Sequence, residues 1–384
     1  MVFLVVAMLM VAGIIFWKKE LQPIRLEPTR FSDIPGWESA NVLHSLLAFK
    51  KSCTVFLHLN PEREVGSAFI PLKAKDWQPA CRAALTLDKP SLKQAKLFFT
   101  TWFEPKAFYD GKPIEGLFTG YYMPVIEGSQ EKTAKYKIPL YGLPNNLLTI
   151  DLEAFDADLK NKRVIGRVKN NTVVPYYTRE AIVKGAIEQN AAVVAWIESP
   201  IDRLFLEIQG SGVIMLPDKQ KLYIGYAAQN GAPYRAIASV LIEKGEMTKD
   251  NASMQGIKKY LEAHPSEISD VLNQNASFVF FKKQAMQGAV GSQGVVLTPG
   301  YSLAVDLKWV PIGTPIWLDA THPDEAGESK NILQRLMIAQ DTGGAIRGAV
   351  RGDVYWGDGK KAEAIAGRMR DKGEYWLLLP KSSK

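Results

Sequence analysis

Hydrophobic and polar positions change spacing several times along the chain. Met1 to Trp17 is an almost unbroken apolar run closed by Lys18-Lys19. At 1.5 Å per residue a helix of that length spans about 25 Å, slightly short of a bilayer core. It reads as an uncleaved amino-terminal anchor or as the apolar core of a signal peptide. Pro23, Pro28, Pro35 and Gly36 then make residues 21–40 a tether. From 41 to 115 the apolar spacing is mostly helical. "SLKQAKLFFTTWF" opens on Ser91 as N-cap and sets Leu92, Ala95, Phe98 and Phe99 on one face. "DWQPACRAAL" reads as a shorter helix with Pro79 in its first turn.

After Gly116 the spacing becomes that of strands. "GLFTGYYMPVIEG" is aromatic and β-branched between Gly and Pro. Strands are expected over 121–232, interrupted by one helix from about Arg179 to Ile197 behind Thr178. "DRLFLEIQGSGVIML" alternates Leu204, Leu206 and Ile208 against Phe205, Glu207 and Gln209, which reads as a strand. The Pro217-Asp218-Lys219 turn leads from it into "KLYIGYA" as hairpin partner. Residues 233–275 are helical again, with Pro233, Ser253 and Pro265 at successive helix starts. From Ser277 short strands return: "SFVFF", "GVVL", "LAVD", "PIWLD", "RLMIAQD", "DVYW" and "YWLLL". Gly/Pro turns separate them, and "KKAEAIAGRMR" is one helix among them, which indicates a closed barrel or a sandwich.

Composition adds little to class and something to partners. With 47% hydrophobic and 23% charged residues the 384-residue chain has ample material for a core. Its net charge of +7 favours an acidic partner: nucleic acid, an anionic membrane face or an acidic polymer. With no Arg-rich run, zinc spacing or RNP-like motif, nucleic acid is the weakest of these. His44, His58, His264 and His322 show no ligand spacing, so no metal site is expected. Cys53 and Cys81 are either two thiols or one staple worth roughly 3 kcal/mol, according to compartment.

Chemistry concentrates in "LMIAQDTGGAIRG", where Asp341 follows an apolar run and precedes Gly343 and Gly344. Asp341-Thr342-Gly343 spells an aspartic-protease triplet. That chemistry needs two carboxylates sharing a proton, hence two such copies in a long chain, and there is one. An Asp at the end of an apolar strand is poorly solvated, which raises its pKa and suits it to protonate a leaving-group oxygen. The alternative is a turn-forming Asp.

Several long words in order resemble the membrane-bound lytic murein transglycosylase A family: "LFTGYYMPVIEGS", "LEIQGSGVI", "GYAAQNGAPYRAI", "NASFVFF", "LTPGYSLAVDLKWVPIGTPIWLD" and "QDTGGAIRGAVRGDVYWGDG". They run from about residue 100 to the carboxy terminus. The family's lipid-attachment Cys is absent. The resemblance implies a mainly β, α+β fold: a double-psi β-barrel main domain, a smaller inserted β-barrel, and a groove between them. On this sequence the main domain would occupy 41–120 and 232–384, with its barrel at 277–384, and the insert 121–231.

The implied reaction cuts the MurNAc–GlcNAc β-1,4 bond of peptidoglycan without water and leaves a 1,6-anhydro end. Asp341 would be acid and then base. Asp353 would stabilise the oxocarbenium-like charge or orient Asp341, unless it is a strand-end residue. Asp306 is a weaker third carboxylate. Groove candidates are Thr119, Tyr121, Tyr122, Gln209, Ser211, Tyr226, Gln229 and Asn230, with Arg179 and Arg235 for lactyl or peptide carboxylates. Gly120, Gly343 and Gly344 would allow close backbone approach. Trp356 and Trp376 are core candidates. The expected partners are peptidoglycan glycan strands, the membrane through the amino terminus, and other cell-wall enzymes. No cofactor is implied. The implied place is the periplasmic face of a Gram-negative envelope, where a Cys53–Cys81 disulfide is expected. Two other readings keep the site in view: an inverting hydrolase using Asp341 and Asp353 on a water, and a non-catalytic wall-binding protein.

Overall fold

The computed structural model describes residues 23–159, 162–249 and 251–381. The Met1–Trp17 run lies outside them. Among the described residues, seventeen strands fall into three sheets. β1 (Arg25–Pro28), β2 (Phe103–Tyr109) and β3 (Gly116–Met123) come first. β4 (Val125–Ser129), β5 (Ile138–Tyr141), β6 (Leu148–Asp151), β7 (Arg163–Lys169), β8 (Thr172–Pro175) and β9 (Val193–Ile197) follow. Next are β10 (Ser211–Met215), β11 (Lys221–Gln229) and β12 (Val279–Lys283). β13 (Ser302–Val305), β14 (Pro315–Pro323), β15 (Lys330–Thr342), β16 (Arg351–Asp358) and β17 (Arg370–Pro380) end the chain.

The largest sheet runs β1-β2-β17-β14-β15-β13-β16-β3, and β3 also pairs with β17. That pairing closes β17, β14, β15, β13, β16 and β3 into a six-stranded barrel. The pairs β13–β15 and β16–β3 are parallel, the others antiparallel. The fold is the expected double-psi barrel within an α+β chain. Side-chain alternation explains the apolar run in β15. Met337 and Ala339 enter the barrel core with Phe118, Leu303 and Ile316. Leu336 and Ile338 face outward onto helices Leu43–His58, Ala74–Thr86 and Leu92–Trp102. Both faces are covered, so the strand reads as continuous hydrophobicity.

Helix Leu92–Trp102 starts as expected, with Ser91 Oγ accepting from the Gln94 amide and Gln94 Oε1 accepting from the Ser91 amide. Helix Ala74–Thr86 begins earlier than Pro79 suggests, so that proline lies inside it. Cys53 and Cys81 join the first two of these helices in a disulfide, Cα atoms 4.9 Å apart. The tether expected over 21–40 packs onto the body instead. β1 pairs with β2, Trp37 is 2% exposed, and Trp317 Nε1 donates to the Pro35 carbonyl at 3.0 Å. Burying an indole there outweighs the turn-forming prolines around it.

The second sheet, β12-β11-β10-β4-β9-β5, covers a core of Leu140, Ala195, Ile197, Ile214, Ile224 and Phe281. β12 ("VFFKK") pairs with β11 rather than entering the barrel, so the inserted unit runs past residue 231. Helices Pro200–Gln209, Ile237–Glu243, Met254–Ala263 and Ile268–Asn273 share one core beside it. The stretch 200–209 is therefore helix, not strand. Ser199 Oγ accepts from the Ile201 and Asp202 amides, Pro200 takes the first turn, and Gly210 ends it at φ +76°. Ile201, Leu204 and Phe205, at helical spacing, form its buried face. The helix at Arg179 stops at Val183 before Gly185 (φ +97°), and the β-branched run after it is β9. "GVVL" forms only the isolated bridge Val290–Val296. The third sheet, β6-β7-β8, is a small antiparallel unit of the insert.

Candidate active site

Four adjacent barrel strands align the polar residues singled out in the sequence. In register, Asp341 on β15 lies beside Ala304 on β13, Ala304 beside Asp353 on β16, and Asp353 beside Thr119 on β3. Two strand spacings thus separate the aspartates, about 10 Å between Cα atoms. The β13–β15 ladder shifts register at this point, pairing Leu303 with Ala339 but Ala304 with Asp341. The bulge at Gln340 re-aims the carboxylate that follows it.

Asp341 Oδ2 accepts from the Tyr121 hydroxyl at 2.8 Å. Its Oδ1 accepts from the Ser292 and Thr342 amides at 2.9 and 2.8 Å. Burial pushes the Asp341 carboxyl above its ordinary range, and these three donors pull against that shift. Burial also holds the Tyr121 phenol well above its usual value, so it stays a donor. Asp353 Oδ1 accepts from Thr119 Oγ1 at 2.7 Å, and Thr119 Oγ1 accepts from Arg351 Nη2 at 2.8 Å. Burial raises Asp353 to about 6, opposed by the Arg351 charge and the Thr119 hydroxyl, with the Asp341 charge adding a smaller upward push. Tyr121 and Tyr355, opposite each other on β3 and β16, pack with ring centroids 5.3 Å apart. They belong to a cluster with Val213 of β10, which joins the barrel mouth to the insert.

The remaining candidates divide. Tyr122 is buried, and Gln209 Oε1 accepts from its amide at 3.0 Å, pinning helix 200–209 to β3. Ser211 is buried at the start of β10. Tyr226, 44% exposed, and half-buried Gln229 remain at the surface of β11. Several candidates are placed elsewhere than the groove reading requires. Arg179 is 1% exposed, ion-paired with Glu207 and donating to the Asn275 and Ser277 carbonyls. Asn230 is equally enclosed: its amide donates to Tyr177 and Ala276 carbonyls and accepts from the Phe278 amide. Arg235 is exposed but engaged by Glu243 and Gln274. A side chain satisfied inside the fold has no donor left for a ligand. Asp306 accepts from the Lys308 and Gly348 amides at 3.1 and 2.9 Å and so holds the loop after Asp341. Gly120 is a packing glycine, because a Cβ there would lie 2.7 Å from Trp356 Nε1. Half-buried Trp356 caps it, and Trp376 is buried. At Gly343 a Cβ would meet Ile346, whereas Gly344 faces open space. Ser292 and Arg351 were not visible from the sequence. Their roles follow from a distant loop and from strand register.

Tyr121→Phe tests the hydrogen bond while keeping the ring packing. It removes a donor that favours the Asp341 carboxylate, so the carboxyl rises further. For a reaction in which Asp341 is the acid, the high-pH limb of activity, where it loses its proton, moves to higher pH, and kcat falls about tenfold. A pH–rate profile checks both.

Residues 117–282 match the MltA specific insert domain and residues 301–379 the 3D domain. The membrane-bound lytic murein transglycosylase A of Escherichia coli K12 is 34% identical over 264 residues, 68% of this chain. The chain spans 65% of that relative's length. MltA of Neisseria gonorrhoeae, in a monoclinic crystal, superposes with TM-score 0.76 at 30% identity, covering 94% of each chain.

The chain belongs to the MltA family.

The matched insert domain ends at β12, where the second sheet also ends, and the 3D domain holds both aspartates. The MltA of E. coli has been solved with bound chitohexaose and superposes with TM-score 0.62 at 25% identity, over 94% of this chain and 95% of that one.

Proposed function

We propose that this protein is a peptidoglycan lytic transglycosylase that cuts the MurNAc–GlcNAc β-1,4 bond non-hydrolytically. The observation that carries this reading is one desolvated carboxyl, Asp341, held at the barrel mouth by a hydroxyl and two amides. Protonated Asp341 gives its proton to the glycosidic oxygen as the C1–O bond breaks. The resulting carboxylate takes the proton from the sugar's 6-hydroxyl as O6 attacks C1. Asp341 ends protonated, the new end is 1,6-anhydro, and the substrate has supplied the nucleophile. Asp353, its carboxylate held by Thr119 and backed by Arg351, stabilises the positive charge between the two steps. Tyr226 offers an exposed ring and half-buried Gln229 an amide for sugars. The relatives' names and the chitohexaose bound to the E. coli protein support a β-1,4-linked aminosugar chain as ligand.

Inverting hydrolases hold two carboxyl groups roughly 6.5–9.5 Å apart, and two buried aspartates two strands apart make an Asp341–Asp353 hydrolytic pair the second reading. Product mass separates the two readings, since an anhydro end lacks one water. We place the protein at the periplasmic face of a Gram-negative envelope, tethered through its amino terminus. The relatives' membrane-bound names, the apolar Met1–Trp17 run and a disulfide suited to an oxidising space support this. Among the described residues no helix is long and apolar enough to cross a membrane. The test is digestion of purified sacculi: anhydro-ended fragments are expected from the wild type, and binding without release would leave only a wall-binding protein.

A further inference from the structure

We infer that Ser52, Gln340 and Gln293 form a positioning cluster that holds the Ser292 amide against Asp341. This rests on Asp341 being the acid. Ser52 and Gln340 are 0% exposed and Gln293 is 9% exposed. Ser52 Oγ, on helix Leu43–His58, donates to Gln293 Oε1 at 2.7 Å and accepts from Gln340 Nε2 at 2.9 Å. Gln340 Nε2 also donates to the Ala48 carbonyl, and Gln340 Oε1 accepts from Ser302 Oγ at 2.6 Å. The Gln293 amide donates to the Gln340 carbonyl at 3.2 Å.

The placement gives the cluster its meaning. Gln340 is the bulge residue directly before Asp341, and Gln293 directly follows Ser292. One hydroxyl on a helix therefore grips the chain on both sides of the Ser292–Asp341 hydrogen bond. Lys51, beside Ser52, fastens the far end of the same turn through the Val296 carbonyl and Thr298 Oγ1, at 3.0 and 2.9 Å. The adjacent Cys53 is stapled to Cys81. Apolar side chains would pack this site without desolvating amides, and Gln293 Nε2 is left without a partner. A polar cluster kept against that cost, next to the reacting group, serves alignment.

The groups facing Asp341 are Tyr121 on β3 and Asp353 and Tyr355 on β16; residues 289–298 carry no ionisable side chain. The amide of that turn is what the cluster controls. The test is the pH–rate profile of fragment release from sacculi by the full-length protein. Ser52→Ala is expected to lower kcat about tenfold. It leaves KM unchanged and moves the high-pH limb upward, because the carboxylate loses an amide donor. Ser45→Ala is the matched control: the same helix, full burial, and an Oγ without a partner. It leaves kcat and the limb unchanged. Gln293→Leu removes the unpartnered Nε2 together with the Oε1 that accepts from Ser52, so the two changes oppose each other in Tm while its limb moves upward as in Ser52→Ala. Wild-type limbs in both Ser52→Ala and Gln293→Leu overturn the cluster's role, as does an equal shift in Ser45→Ala. Asp341→Asn is run alongside. Undiminished turnover there removes the acid assignment itself, whereas an inactive Asp341→Asn with unshifted limbs overturns the cluster alone.

Discussion

Asp341→Asn is expected to lower kcat for release of glycan fragments about 10³- to 10⁴-fold, with little change in KM. General acid–base catalysis is worth roughly 10²–10⁴ for a positioned side chain. In the proposed reaction one side chain serves both proton transfers, so its loss falls at the upper end. An amide keeps the size of the group: its oxygen can still accept from the Ser292 and Thr342 amides, while its NH2 donates to the Tyr121 hydroxyl. Any loss then reports the missing proton rather than a rearranged site. Single-turnover kinetics on sacculi or defined oligosaccharides measures it. The same variant gains stability at neutral pH, because burial disfavours the charged carboxylate it replaces.

Asp353→Asn is expected to lower kcat about 10²-fold, the scale of removing one preorganised electrostatic contact. The amide oxygen still accepts from Thr119, so the geometry survives and the charge alone is lost. The stability effect has a definite sign. The folded state holds the Asp353 proton more tightly, at about 6 against 3.8. The wild type therefore has its full stability from this group below about pH 4 and loses it as pH rises through 6. Two units correspond to about 3 kcal/mol, reduced to roughly 2 kcal/mol by the residue's partial solvent access. The Tm of Asp353→Asn should exceed that of the wild type at pH 7.5 and converge with it below pH 4. A variant less stable than wild type at pH 7.5 would show that the Arg351–Thr119–Asp353 chain is a net structural gain.

What could be read in advance follows from the range of each interaction. The Ser91–Gln94 capping box and the short barrel strands are local, so their spacing announced them. Asp341 stood out because an apolar strand ended on a carboxylate beside glycines. Leu204, Leu206 and Ile208 misled because a ten-residue helix can mimic alternation, and the decisive cue, Ser199-Pro200 ahead of it, is a single cap. Arg179 looked available because its neighbour Glu180 pairs with Lys184 one turn on. Its partner Glu207 comes from another helix, and its other acceptors lie at 275 and 277. The Ser292 amide and the Gln340 bulge depend on strand pairing and on a loop distant in sequence. Length and periodicity carry no trace of either. The expected edge of the insert at 231 failed for the same reason, since only the pairing of β12 with β11 reveals where that sheet ends.

The most direct test of the central claim is digestion of purified sacculi in water enriched in oxygen-18, with product masses read at the newly formed ends. Closure of O6 onto C1 predicts wild-type fragments one water lighter than hydrolysed ones and free of the label, and none from Asp341→Asn. Reducing ends that carry oxygen-18 would contradict it and make Asp341 and Asp353 a hydrolytic pair.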